Sequence, residues 1–190
     1  MIRIGILGNI GSGKSYVANN LGFPVFDADY EVTKLYKKNK KIFLKLKKIL
    51  PKNIKSFPIE KKEITEAILE KKGNLKKIIE IVHTEVRKKM NLFFKKNKSK
   101  KFVVLDVPLL LENKLNKKSD ILIFVDSKKS DILKKLVKRK NFNKKLFNKF
   151  KKIQLSSQYK MKKSNFIIKN DFTKKTINNN INKILQNLNR

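Results

Sequence analysis

The 190-residue chain contains no cysteine, a single histidine, six glycines and four prolines. Without cysteine there is neither a disulfide framework nor a thiolate zinc site, which agrees with a reducing compartment. No stretch approaches the roughly 18 apolar residues of a membrane span. The short apolar run around Arg3 leads into glycines and a lysine instead of a signal-peptide cleavage site, so a cytoplasmic protein free of membrane attachment is expected. Acidic residues are scarce as well, 15 against 49 basic ones, for a net charge of +34. Only Arg3, Arg87, Arg139 and Arg190 among those basic residues are arginine, and the rest are lysine. Arginine is the side chain that grips phosphates and bases in fixed geometry. Its scarcity, beside abundant Asn, Ile and Phe with similar A/T-rich codons, makes the charge a lysine drift of exposed positions. No specific nucleic-acid surface is expected, and a basic nucleic-acid-binding protein is the alternative from a different functional class.

What is present is an alternation of two patterns. Five apolar, β-branched or aromatic runs predict strands: "IRIGIL" (2–7), "FPVFDAD" (23–29), "KFVVLDVP" (101–108), "DILIFVD" (120–126) and "SNFIIKN" (164–170). Most are nearly continuous, as strands covered on both faces of a parallel sheet are. Between them lie amphipathic helical patterns: 14–21, 29–38, 40–50, 59–72, 74–96, 129–140, 144–163 and 173–189. Strand–helix alternation predicts a doubly wound α/β fold. About seventy lysine-rich residues separate the second and third strands, far beyond a usual crossover. They predict a helical insertion, 30–97, over the carboxyl edge of the sheet, where open α/β folds bind ligands. The whole chain, 1–190, is expected to be one domain carrying that insertion.

Half of the glycines are spent in one place. Gly8, Gly11 and Gly13 fall within six positions and are followed at once by Lys14 and Ser15. Residues 8–15, "GNIGSGKS", satisfy G-x-x-x-x-G-K-[ST] in full, with a predicted strand before and a helix after. Such a loop turns successive amides inward to wrap a β-phosphate above a helix N-terminus. Lys14 then bridges the β- and γ-phosphates, Ser15 ligates Mg²⁺, and the Tyr16 amide reaches the α-phosphate. The motif implies a nucleoside triphosphate, ATP or another purine donor, with Mg²⁺.

The acceptor is signalled by carboxylates. Asp27 and Asp29 alternate at the predicted carboxyl end of the second strand, where a carboxylate accepts the proton of an attacking hydroxyl, holds Mg²⁺ through water, or caps the next helix. Asp106, ending the third strand, binds Mg²⁺ through water or faces a helix.

"LGNIGSGKSYVANNLGFPVFDAD", "VHTEVR", "VLDVPLLLEN", "KRKNF…IQ" and "FIIKND" follow in the order and spacing of dephospho-coenzyme A kinases, which the chain resembles from Met1 to about Asp171. The resemblance implies a P-loop NTPase-type three-layer fold on a five-stranded parallel sheet, with a helical acceptor-binding insertion and a helical lid over 138–163. It also implies transfer of the γ-phosphoryl group of ATP to the ribose 3′-hydroxyl of dephospho-CoA, the last step of coenzyme A synthesis. In that reading Asp29 is the base and Asp27 a metal or orienting group. Gly8, Gly11, Ser12, Gly13, Lys14, Ser15 and Tyr16 hold ATP, and Arg139 is the lid arginine that covers it. His83, Arg87, Pro108, Leu109, Leu110 and Glu112, together with Asp27 and Asp29, face the acceptor, while Ser15 and Asp106 meet the metal. The chain departs from the family pattern at Thr84, which replaces a proline after His83, and at Lys135, where an earlier lid arginine is usual. Phe150 stands where many relatives carry a basic residue. A monomer with a small-molecule acceptor is expected. The alternative among enzymes is another small-molecule P-loop kinase, acting on a nucleoside monophosphate or a shikimate-like alcohol.

Overall fold

The computed structural model describes residues 1–139 and 142–188. In chain order the elements are β1 (Ile2–Gly8), α1 (Lys14–Asn20), β2 (Val25–Asp27), α2 (Ala28–Lys38) and α3 (Lys40–Ile49). Next come α4 (Lys61–Glu70), α5 (Asn74–Lys96), β3 (Phe102–Asp106), β4 (Ile121–Asp126) and α6 (Lys129–Val137). The chain closes with α7 (Lys144–Ile153), α8 (Ser157–Lys163), β5 (Phe166–Lys169) and α9 (Lys174–Leu188). These elements fall into two compact units, Met1–Asp27 with Asn97–Arg190, and Ala28–Lys96.

The first unit is an α/β sheet layered by helices. Its five strands are all parallel, in the order β2-β3-β1-β4-β5. Strands β1, β3 and β4 are buried along most of their length, the pattern of central strands in a parallel sheet. Ile4, Ile6, Val104, Ile123 and Val125 meet Val17, Ala18 and Leu21 from the α1 segment, and Ile177, Ile181 and Ile184 from α9, in one core cluster. The i, i+4, i+7 spacing of the three α9 isoleucines puts them on one stripe. At the sheet edge β5 alternates: Ile168 is buried and Ile167 exposed. Asp171 caps the start of α9, accepting from the Thr173 amide at 2.9 Å and from the Thr176 hydroxyl at 2.8 Å. Those bonds hold its carboxyl below the ordinary carboxylate range, the Thr173 amide first.

The second unit packs α2, α3 and α4 along the 23-residue α5. Ile78, Val82, Val86 and Met90 recur every four residues and form the buried spine of α5. Leu35, Ile42, Leu46, Ile64 and Ile68 are buried on the other three helices. Glu60 and Glu63 form a reciprocal capping box at the start of α4. Burial pushes the Tyr36 phenol well above its ordinary range.

Two elements differ from the sequence-based expectation. The pattern over 144–163 predicts continuous helix, but the structure breaks it between Ile153 and Ser157, where the Ser156 hydroxyl accepts from the Tyr159 amide at 3.2 Å and starts α8 afresh. The strand predicted over 23–29 is ordered as strand only at Val25–Asp27, and α2 begins at Ala28. Asp29 therefore lies in the first turn of a helix and not at a strand end. No described helix is long and apolar enough to cross a membrane.

Candidate active site

The parallel register brings the carboxyl ends of four strands together. Asp27 of β2 pairs directly with Asp106 of β3, and Gly8 of β1 pairs with Val125 of β4. The strand order reverses direction around β1, the position where open α/β sheets bind ligands. From Gly8 the chain runs into the glycine loop and enters α1 through Gly13, whose left-handed φ of 90° an L side chain rarely adopts. A Cβ at Gly13 would stand 2.4 Å from Asn170 Nδ2.

Two side chains that follow the carboxyl ends of β4 and β5 set the loop's shape. Asn170 Nδ2 and the Ser127 hydroxyl donate to the Ser12 carbonyl at 2.7 and 3.0 Å. Because a trans peptide points its C=O and N–H in opposite directions, fixing that carbonyl aims the Gly13 N–H the other way. Asn170 itself is held by accepting from the Phe172 amide at 2.7 Å, with Phe172 in the left-handed region at φ 65°. Neither Ser127 nor Asn170 has a role in the sequence analysis. The available signal is position alone, a small polar residue immediately after the ends of β4 and β5.

Lys14 donates to the carbonyls of Asn9 at 2.8 Å and Gly8 at 3.3 Å, so its ammonium lies over the loop's mouth. Ser15, exposed at the start of α1, hydrogen-bonds through its hydroxyl to the Asp106 carboxylate. Burial raises the Asp106 pKa above the ordinary value; the Ser15 bond and the Lys14 charge oppose the rise, and neighbouring Asp27 adds to it. Tyr16 presents an exposed ring, and its carbonyl accepts from Asn20. Ser12 is buried, and its hydroxyl has no hydrogen-bond partner among the described residues.

This constellation fits Mg²⁺ with a polyphosphate. The ion keeps much of its water and needs few protein oxygens when phosphates complete its shell. A serine hydroxyl beside two carboxylates is such a set, and the described residues contain no cluster of three or more His, Cys, Asp or Glu side chains that would make a complete protein cage. Beside the loop, Asp131, Lys134, Lys135, Lys138, Asp171 and Phe172 line an open cleft. Lys135 sits there with its ammonium 5.4 Å from the Phe172 ring centroid. Arg139 follows α6, exposed, with its amide bonded to the Leu136 carbonyl. Residues 140 and 141 of the expected lid lie outside the described residues.

The "PLLLEN" segment is a run of turns after β3. Pro108 is exposed and Leu109 holds a left-handed φ of 59°. Leu110 is buried against Gly5 of β1, so it supports the turn from beneath. Glu112 accepts through Oε1 from the Leu155 amide at 2.9 Å and pairs with Lys160 at 2.8 Å. Phe150 is partly exposed on α7, a helix with no buried residue.

Within the helical unit, His83 and Arg87 sit four apart on one face of α5. Half-burial, then the Arg87 charge, lowers the His83 pKa, which keeps the ring neutral at pH 7. Thr84 lies within the unbroken α5, its hydroxyl donating to the Glu80 carbonyl at 3.2 Å. Asp29 is exposed in the first turn of α2, and its carbonyl accepts from the Thr33 hydroxyl at 2.9 Å.

Comparison with known proteins agrees with this geometry. The dephospho-CoA kinase family model matches residues 2–176. A dephospho-CoA kinase of Wolbachia pipientis is 34% identical over 191 residues, covering 98% of this chain and 97% of its own. Among solved structures, TT1252 from Thermus thermophilus superposes with a TM-score of 0.77 at 22% identity, covering 98% of this chain and 97% of that one. The dephospho-CoA kinase from Campylobacter jejuni gives 0.64 at 23% identity, covering 98% and 96%. At those identities the two structures speak for the fold, and the family assignment rests on the sequence match across nearly the whole chain. With a triphosphate-type loop at the sheet's switch point and that match, the chain belongs to the dephospho-CoA kinase family.

Proposed function

We propose that this protein transfers the γ-phosphoryl group of ATP to the ribose 3′-hydroxyl of dephospho-CoA. The observation that carries the reading is the Lys14–Ser15–Asp106 constellation on a complete phosphate loop, inside the region matched by the family model. Phosphoryl transfer demands positioning and charge neutralisation more than covalent chemistry. The amides of the loop from Gly8 to Tyr16, with Gly11, Ser12 and Gly13 between them, wrap the phosphates. Lys14 exchanges its bonds to the Gly8 and Asn9 carbonyls for β- and γ-phosphate oxygens. Mg²⁺, when bound, supplies further neutralisation of those oxygens, and Ser15 and Asp106, with Asp27 beside them, are the residues that would hold it. Arg139 adds positive charge from the lid, 138–163, which excludes water. The ATP base takes the cleft beside Phe172.

Asp29 accepts the proton of the 3′-hydroxyl, and Asp27 orients the acceptor or the metal. The reading is supported by its exposed carboxylate two residues beyond Asp27 and by the family's acidic pair there. His83 and Arg87 on α5, and Pro108 and Leu109 on the turn after β3, contact dephospho-CoA, with Leu110 beneath them. The enzyme acts as a cytoplasmic monomer, without specific nucleic-acid binding. The deciding experiment offers purified protein ATP with dephospho-CoA, a nucleoside monophosphate or shikimate, and follows ADP release and product mass. ADP release that depends on dephospho-CoA and yields a product heavier by one phosphate is expected. Turnover driven by another acceptor, with none by dephospho-CoA, overturns the proposal.

A further inference from the structure

Helix α8 is seated in an unusual way. Its one buried residue is a lysine, Lys160, and no apolar side chain of the helix is buried. A seven-residue helix seated through a charge gives up the stability that an apolar residue of similar volume would bring; buried ionic pairs of this kind are best attested where they specify geometry. Two polar tethers fix this geometry. Asn9, inside the phosphate loop, and Ser157, the first residue of α8, exchange hydrogen bonds at 3.0 and 3.1 Å. At the other tether, Glu112 Oε1 accepts both the Lys160 ammonium at 2.8 Å and the Leu155 amide at 2.9 Å. Glu112 thus ties the elbow that follows α7, at Leu155, to α8, at Lys160; the elbow runs extended at Gln154 and Ser156. The turn carrying Glu112 holds two non-glycine residues, Leu109 and Lys114, at left-handed φ values of 59° and 51°. Such backbone persists only where the surroundings over-determine it. Beyond the elbow, α7 has no buried residue at all.

We propose that Glu112 and Lys160 are a positioning pair that couples lid placement to the acceptor turn, so that Glu112 acts through the elbow and not by touching substrate. The proposal rests on the kinase reading above, in which the turn after β3 meets dephospho-CoA and 138–163 form the lid; within that lid α8 is the tethered base and α7 the untethered arm. The α8 strut would connect the donor end, at Asn9, to the acceptor end, at Glu112, while α7 swings from its far side. Losing the pair leaves both substrates able to bind but lets the lid settle without reference to the acceptor, and water then competes for the γ-phosphoryl group.

The test measures ADP released per phosphorylated product in wild type, Glu112→Gln, Lys160→Met, the double variant and Lys160→Arg, together with ATP affinity and melting temperature. Wild type and Lys160→Arg are expected near one ADP per product. The two single variants and the double are expected to exceed it several-fold, with kcat for transfer down at least tenfold and ATP affinity within twofold. The double variant, which leaves no buried charge unpaired, is expected to melt above both singles and still stay uncoupled. Amide exchange on wild type adds a readout independent of the variants, with the Leu155 amide protected and more so when both substrates are bound. A double variant with wild-type coupling, or a Leu155 amide exchanging as fast as an unbonded one, overturns the pairing alone. Wild type without dephospho-CoA-dependent turnover overturns the kinase reading itself.

Discussion

Substituting Gly13 by alanine tests the loop geometry quantitatively. Two costs are separable. The left-handed backbone, φ 90°, penalises any L side chain by about 1–2 kcal/mol. The new Cβ also falls 2.4 Å from Asn170 Nδ2, which must move and abandon the Ser12 carbonyl. The Ser12 carbonyl keeps the Ser127 hydroxyl, but leaving the buried Asn170 amide unsatisfied costs about 1–3 kcal/mol. The sum, roughly 2–5 kcal/mol, corresponds to a fall in melting temperature of about 4–20 °C for a chain of this size. Gly22→Ala isolates the first cost, since Gly22 has φ 77° but nothing within 4 Å of its would-be Cβ. Asn170→Ala removes the clash, so in a double-mutant cycle Gly13→Ala should cost in that background only what Gly22→Ala costs. Thermal melts followed by circular dichroism, with and without ATP, give all four values. If Gly13→Ala melted within about 2 °C of wild type, or cost as much with Asn170 as without it, the packing argument for the loop would be refuted.

Other consequences follow from the same site. Lys14→Ala should abolish transfer and weaken ATP binding, whereas Asp29→Asn should lower kcat by orders of magnitude with ATP affinity little changed; full turnover in Asp29→Asn removes the base assignment. Asp106 has a folded-state pKa raised chiefly by burial. Its contribution to stability is therefore complete below the unfolded value and is lost as pH rises through the folded one, so the ionised carboxylate is a cost at neutral pH. Asp106→Asn should melt above wild type at pH 7, with the gap closing towards pH 4, and should lose the extra melting shift that Mg²⁺ adds to ATP; a lower melting temperature at every pH contradicts this. Binding to DNA or RNA at low salt should collapse between 50 and 200 mM salt by about 10³–10⁵-fold, as counterion release requires, and a sequence preference that survives physiological salt would show a dedicated surface.

Much of this site is local in origin, which is why it is legible in the chain. Residues 8–15 carry their chemistry in the spacing, because a loop that wraps a phosphate with its own backbone needs glycines at fixed intervals and nothing from afar. The strands and core helices follow from apolar periodicity for the same reason. Alternation puts Asp29 at a strand end, yet Ala28 already begins a helix and Asp29 sits in its first turn, where acidic residues favour the helix dipole. What the tertiary structure alone decided is long-range and polar: Asn170 and Ser127 shaping the loop from 158 and 115 residues away, Asp27 and Asp106 set side by side by register, and Glu112 turned to the α8 lysine. Hydrogen bonds and ion pairs are directional contacts between single side chains, with no repeating period in the sequence, so they come into being only when the sheet order and helix seats have brought their partners within 3 Å.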